Sequence, residues 1–171
     1  NHGIRTAPMF VSRIEDNEGN TIATFQPRMN EVIGAENAMK MLTMLMGVVD
    51  GGTAGRLRYR YNLEGQIGAK TGTTNNNSDG WFIGFTPQLV SGCWVGGEER
   101  DIHFDSMNMG QGATMALPIW AIFMKKVYAD PTLGIRPDVK FDLPDGYDPC
   151  YKPKSDQDDF EQVDGIDEVF E

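Results

Sequence analysis

The sequence predicts an α+β fold: a three-strand antiparallel β-meander packed with two helices, preceded by an N-terminal β-hairpin. Three observations carry this. Gln66 to Val95 divides into three successive strand-like runs joined by turn residues. Val32 to Val49 and Ala113 to Ala129 instead repeat apolar residues at helical spacing. Asn17-Glu18-Gly19-Asn20 separates two β-rich runs, as a hairpin turn does.

The hairpin strands are expected over Met9 to Asp16 and Thr21 to Gln26, and Pro27 closes the second because it cannot donate to a ladder. In the first helix Ala35, Ala38, Met39, Leu42, Leu45, Met46 and Val49 form one stripe, ended by Asp50-Gly51-Gly52. Its methionines (Met39, Met41, Met44 and Met46) are expected as core filler in preference to a groove lining. Arg56-Leu57-Arg58-Tyr59-Arg60-Tyr61 alternates, which in an extended chain puts three arginines on one face. That face is either a solvated strand or loop near acids of the tail, or a grip on an anionic ligand.

The meander strands are Gln66 to Thr73, Trp81 to Thr86 and Leu89 to Val95, with Pro87-Gln88 as the second turn. Apolar residues on both parities of the last two predict that both of their faces are covered. A polar loop runs from Gly96 to Gly112. The second helix is expected to bury Ile119, Trp120, Ile122, Phe123 and Val127, with Pro118 tolerable in the first turn but kinking if deeper. Asp130-Pro131 stops it.

A chain of 171 residues suffices for one domain with a real core. Its charge is uneven: residues 1–135 hold 13 acids and 11 bases, whereas residues 136–171 hold 12 acids and 4 bases. A nearly neutral body with an acidic tail argues against nucleic acid as a partner. Residues 136–171, rich in prolines and acids, are expected to be extended or disordered, with a weak helical turn over Val163 to Phe170. No window approaches the roughly 18 apolar residues of a membrane span, so no membrane contact by this segment is expected. The chain opens on Asn1 without an initiator Met or a signal segment, as a piece of a longer protein does. Cys93 is expected in the core, and its surroundings give little support for a disulfide with Cys150.

The chemistry concentrates in Gly68-Ala69-Lys70-Thr71-Gly72-Thr73-Thr74. Small residues on a strand let a ligand approach the backbone, and one lysine among hydroxyls favours a carboxylate or phosphate. A phosphate-binding P-loop needs glycine immediately before its lysine and again six positions before; Ala69 and Glu64 stand there instead. His2, His103, Cys93 and Cys150 lack metal-ligand spacing, so neither metal nor other cofactor is expected.

The remaining match is Lys-Thr-Gly as the third motif of the serine acyl-transferases that penicillin acylates. The longer run is more specific: Lys70 to Asn75, Asp79-Gly80-Trp81-Phe82-Ile83-Gly84-Phe85-Thr86-Pro87, Trp94-Val95-Gly96-Gly97, then Gly110-Gln111-Gly112-Ala113 and Ala116 to Trp120. Together with Pro8-Met9-Phe10, Asp16 to Gly19 and Gly52-Thr53-Ala54-Gly55 upstream, it resembles the C-terminal part of the transpeptidase domain of class A, bifunctional penicillin-binding proteins. Coverage is about residues 3–130, and Asn75 to Asp79 with Gly97 to Arg100 look most like the Bacteroidetes branch.

The resemblance implies a role for each residue. Lys70 would set positive charge beside the nucleophile and assist proton transfer, and the hydroxyls of Thr71 and Thr73 would hold the carboxylate of a D-Ala-D-Ala stem peptide or β-lactam. The Thr73 amide would be an oxyanion-hole donor. Gly72 would be small because substrate adds to the strand edge, and Thr74 would complete the substrate-binding stretch. Asp79 and Trp81 are expected to brace the strand turn. The parent would be a peptidoglycan-cross-linking D,D-transpeptidase on the periplasmic face of the inner membrane, anchored and carrying a glycosyltransferase domain upstream.

The departure lies in the nucleophile. The residues three after Ser12, Ser78, Ser91, Ser106 and Ser155 are Glu15, Trp81, Trp94, Met109 and Asp158, so the sequence contains no Ser-x-x-Lys. Ser106-Met107-Asn108 has the form of the second motif but follows Lys-Thr-Gly instead of preceding it. The segment alone is therefore expected to be inactive, and Leu89 to Val95, where the family's sheet continues, to form an exposed, self-associating edge. A D-Ala-D-Ala carboxypeptidase or β-lactamase relative, a non-catalytic binding module and a purely structural domain stay open. The order of upstream motifs separates the first, a parent lacking Ser-x-x-Lys favours the second, and binding indifferent to Lys70→Ala favours the third.

Overall fold

A computed structural model describes residues 1–149. Its centre is an antiparallel sheet of three strands, β5 (Gly68–Thr73), β6 (Asp79–Phe85) and β7 (Val90–Gly96), in that spatial order. The predicted α+β meander is therefore present, each strand within about two residues of its expected bounds. Four shorter strands precede it: β1 (Ile4–Thr6), β2 (Arg13–Glu15), β3 (Thr21–Thr24) and β4 (Met29–Glu31).

β2 and β3 form the predicted hairpin, but with only three and four residues. The Asp16 carboxylate organises its turn, accepting from the Glu18 amide at 2.9 Å and the Asn20 amide at 2.8 Å. Gly19 adopts φ +87° there. β1 pairs with β4, a pairing the sequence did not disclose, and it holds Met29–Glu31 extended. Helix α1 accordingly spans Ala35–Asp50 and begins three residues later than Val32.

The core lies between one face of the sheet and α4 (Gly112–Ala129). Phe82 projects from that face onto the Trp120 ring, with centroids 5.2 Å apart. Gly84 lies directly beneath Trp120: a Cβ there would come within 2.4 Å of the indole, so only glycine lets the helix settle this close. The Trp120 Nε1 donates to Ser91 Oγ at 2.8 Å, which satisfies its polar atom in the core. α2 (Arg56–Tyr59) contributes Leu57, and the end of α1 contributes Val49.

Several expectations are corrected. Helix α4 buries Ala113, Ala116, Leu117, Trp120, Ala121, Met124 and Val127, whereas Ile119, Ile122 and Phe123 are exposed. Trp120 and Val127 are buried as expected, so bulk misassigned only the other three residues, which lie off the face packed on the sheet. Pro118 sits inside the helix, beyond its first turn. In α1, Met41 and Met44 are exposed and so are not core filler, Met39 and Met46 are half-buried, and only Val49 is fully buried.

The two-sided cover expected for the second and third strands is also absent among the described residues. Trp81, Ile83, Val90 and Trp94 share an open face. Cys93 is half-buried against the core, where burial pushes its thiol pKa up.

Arg56 to Tyr59 is helical, so the three arginines do not share an extended face. Arg58 donates to Asp50 Oδ1 at 2.7 Å and to the carbonyls of Leu63 and Gly65, while Arg56 reaches Thr114 Oγ1 at 3.2 Å. Among the described residues neither pairs with the tail. Residues 136–149 contain no helix or strand, and Phe141 docks edge-on against Phe85, its amide donating to Gln66 Oε1 at 2.6 Å. Cys150 and the helical turn expected over Val163 to Phe170 lie outside the described residues.

Candidate active site

β5 is an edge strand, and its ladder geometry follows from one bond. The Thr74 amide donates to the Asp79 carbonyl at 3.1 Å, making that pair hydrogen-bonded in the register Thr73↔Gly80. Bonded and non-bonded pairs alternate along an antiparallel ladder. Gly72 and Lys70 therefore bond inward to Trp81 and Ile83, while Thr71 and Thr73 turn their N–H and C=O groups to the outer edge. The exposed Lys70 also leans to that edge, its Nζ donating to the Thr71 carbonyl at 2.6 Å.

The hydroxyls along this edge are held from two other elements. Thr71 Oγ1 lies 3.4 Å from Thr53 Oγ1, in the turn after α1. Thr73 Oγ1 accepts from the amide of Gly112, the first residue of α4, at 3.0 Å. Arg56 binds α2 to the same first turn of α4 through the Ala113 carbonyl and Thr114 Oγ1. Lys70, Thr71, Gly72 and Thr73 are thus assembled into one continuous edge.

Thr74 is engaged differently. Its Oγ1 accepts from the Ser78 amide at 3.1 Å and the Asp79 amide at 2.9 Å, and lies 3.0 Å from Ser78 Oγ. That clasp closes the β5–β6 turn. Asp79 extends it sideways, its Oδ1 accepting from Trp94 Nε1 at 3.2 Å. Trp81 is the cross-strand neighbour of both Gly72 and Trp94 on the open face. The loop after β7 folds back over the turn: Asn76 Nδ2 donates to the Arg100 carbonyl at 3.0 Å, and Asn77 and Phe104 exchange bonds at 3.3 Å.

Chemically, this edge offers one cation, two outward amides and two hydroxyls to an extended anionic ligand. No group of three or more His, Cys, Asp or Glu that could hold a metal occurs among the described residues. His2 lies 3.1 Å from Asp142 at the surface, and His103 is exposed. Sequence reasoning missed the parts played by Thr53 and Gly112. Both lie in glycine-containing motifs, Gly52 to Gly55 and Gly110 to Ala113, but nothing in their spacing reveals contact with β5.

The family description "Penicillin binding protein transpeptidase domain" matches residues 1–92, more than half of the chain. The chain belongs to this transpeptidase family. It is 34% identical to penicillin-binding protein 1A of Aquifex aeolicus over 144 residues, covering 84% of this chain and 18% of that protein. Penicillin-binding protein 1A of Neisseria lactamica is likewise 34% identical over 153 residues, covering 85% and 18%. These relatives bear out the class A resemblance and add no support for a Bacteroidetes affinity. The chain thus spans about a fifth of the length of the curated relatives it matches. The crystal structure of penicillin-binding protein 1A from Haemophilus influenzae superposes with a TM-score of 0.66 at 23% identity, over 84% of this chain and 26% of that one. That likeness bears out the partial transpeptidase fold.

Proposed function

We propose that residues 1–135 supply one wall of a serine D,D-transpeptidase site in a longer peptidoglycan-cross-linking enzyme, and that residues 136–171 are an acidic appendage to it. The observation that carries this reading is the edge of β5, where Lys70 is exposed and the amides of Thr71 and Thr73 point away from the β6 ladder. The hydroxyls of Thr71 and Thr73 hold the terminal carboxylate of a D-Ala-D-Ala stem peptide or a β-lactam. Gly72 lets the ligand lie along the strand as an added strand. Thr74 serves this stretch through the turn it closes, with Asp79 and Trp81 bracing it from β6.

The reaction is acyl transfer. A serine Oγ attacks the penultimate D-Ala carbonyl, the peptide bond breaks with release of D-Ala, and the resulting ester is cleaved by an amine of a neighbouring stem peptide. Lys70 stabilises the negative charge that develops and assists the proton on its way to the leaving amine. The Thr73 amide donates to the oxyanion, which bears full charge only in the tetrahedral intermediate. The nucleophile and its base lie outside this sequence.

The enzyme is placed at the periplasmic face of the inner membrane by an anchor upstream, together with a glycosyltransferase domain. No described helix here is long and apolar enough to cross a membrane. The test is labelling of the 171-residue chain with a fluorescent penicillin. No boil-stable adduct is expected, and a covalent adduct on this chain would overturn the assignment of the nucleophile elsewhere.

A further inference from the structure

A carboxylate only accepts hydrogen bonds, so a threonine that holds one must have its own O–H proton free to donate. At Thr73 this condition is met, because the Gly112 amide already donates to Oγ1 at 3.0 Å. At Thr71 the matching contact is the Thr53 hydroxyl at 3.4 Å, where either oxygen can be the donor.

The turn that carries Thr53 is fixed on both sides. Ala54 is fully buried, its amide donating to the Val48 carbonyl and its carbonyl accepting from the Leu57 amide, each at 2.9 Å. The Gly55 amide donates to the Gly52 carbonyl at 3.0 Å. A Cβ on Gly52 would come within 2.8 Å of Val48 Cα, so the chain can turn this sharply only with glycine there. The exposed Thr53 hydroxyl is therefore delivered to the edge of β5 by a pinned turn.

We propose that Thr53 is a positioning residue of the β5 edge: its O–H donates to Thr71 Oγ1 and leaves the Thr71 proton for the terminal carboxylate of a D-Ala-D-Ala peptide. The inference rests on the reading of β5 as a carboxylate-holding strand. Thr53 and Gly112, from two different elements, then do the same job for the two hydroxyls. A donor feeding Thr71 strengthens its bond to a charged acceptor more than its bond to a neutral one. Thr53 thereby favours a free C-terminal carboxylate over a carboxamide.

The experiment is a titration of the isotope-labelled 171-residue chain with N-acetyl-D-Ala-D-Ala and with its C-terminal carboxamide, following the amides of Thr71 and Thr73. Thr53→Val is expected to weaken the carboxylate ligand by about threefold to tenfold, the effect of one lost hydrogen bond. The carboxamide should change by less than about twofold, and Thr53→Ser should restore the carboxylate affinity. Equal carboxylate affinity in Thr53→Val and the unsubstituted chain would overturn the role of Thr53 while leaving the reading of β5 standing. So would a Thr53→Ser variant as weak as Thr53→Val, since that implicates the methyl group. Failure of N-acetyl-D-Ala-D-Ala to shift Thr71 and Thr73 in the unsubstituted chain would overturn the reading of β5 itself, and this inference with it.

Discussion

The amide of Gly112 donates to the hydroxyl of Thr73 at 3.0 Å, joining the first residue of α4 to the last residue of β5 across 39 positions of sequence. The helix that fills the core thus also fixes the end of the strand that carries the candidate site. Gly112 can do this because it has no side chain: a Cβ would lie 2.4 Å from the backbone oxygens of both Gly72 and Trp81. Backbone cannot step aside as a flexible side chain can. Gly112→Ala is expected to lift α4 from the ladder and to cost about 1–3 kcal/mol, the usual range for overpacking. Urea unfolding measures the loss, and an unchanged midpoint would show that the helix start does not bear on the strand.

The Asp79 carboxylate ties the turn to β7, accepting from Trp94 Nε1 at 3.2 Å and from Ser78 Oγ at 3.0 Å. Asp79→Ala removes both acceptors and is expected to destabilise the chain by about 1–2 kcal/mol. The indole signal of Trp94 in an NMR spectrum should move with it. Retention of the Trp94 signal at its original position would count against the brace.

Asp16 gives a pH dependence. The side chain of Asn20, followed by the backbone of Asn20, Glu18 and Gly19, donates to its carboxylate and lowers its pKa below the ordinary 3.8. A depressed folded-state pKa means stabilisation that is fully present above the unfolded value and lost as pH falls through the folded one. The hairpin turn should therefore persist at pH 5 and loosen only below the ordinary aspartate value. Amide exchange at Asn20, followed across that acid range, checks this; loosening already at pH 5 would contradict it.

How much of this was legible in sequence depended on whether the signal was local. The meander and the Asp16 turn were legible because strand runs, turn residues and glycines specify them from their own neighbourhood. The buried side of α4 was not. Ile119, Ile122 and Phe123 look like core by bulk as Trp120 does, but Gly84 and Phe82 shape a surface that takes Ala116, Leu117 and Ala121 beside Trp120 and leaves those three exposed. Arg56 to Tyr61 misled for a related reason: burying Leu57 and bonding Arg58 to Asp50 outweigh alternation over six residues. At the site, Lys70 to Thr73 stood out by composition, whereas Thr53 and Gly112 meet the strand only through folding.

The open face of the sheet leads to a prediction about association. Val90 is 71% exposed at the start of β7, which has no second strand neighbour among the described residues. Strands with unpaired backbone and apolar side chains recruit further strands. The isolated chain is expected to self-associate as its concentration rises, and Val90→Lys should reduce this. Light scattering across a concentration series measures it, and a strictly monomeric chain at high concentration would exclude the edge as an association surface.

The most direct measurement is the rate of acylation by a fluorescent penicillin of the full-length protein that contains this segment, with Lys70→Ala and Thr71→Val compared with the unsubstituted enzyme. If β5 is the carboxylate and oxyanion wall, Lys70→Ala should slow acylation by about 100-fold or more, the scale for removing one preorganised electrostatic group. Thr71→Val should slow it by about tenfold, one hydrogen bond to the ligand carboxylate. Acylation at the unsubstituted rate in both variants would contradict the assignment of this strand to the active site.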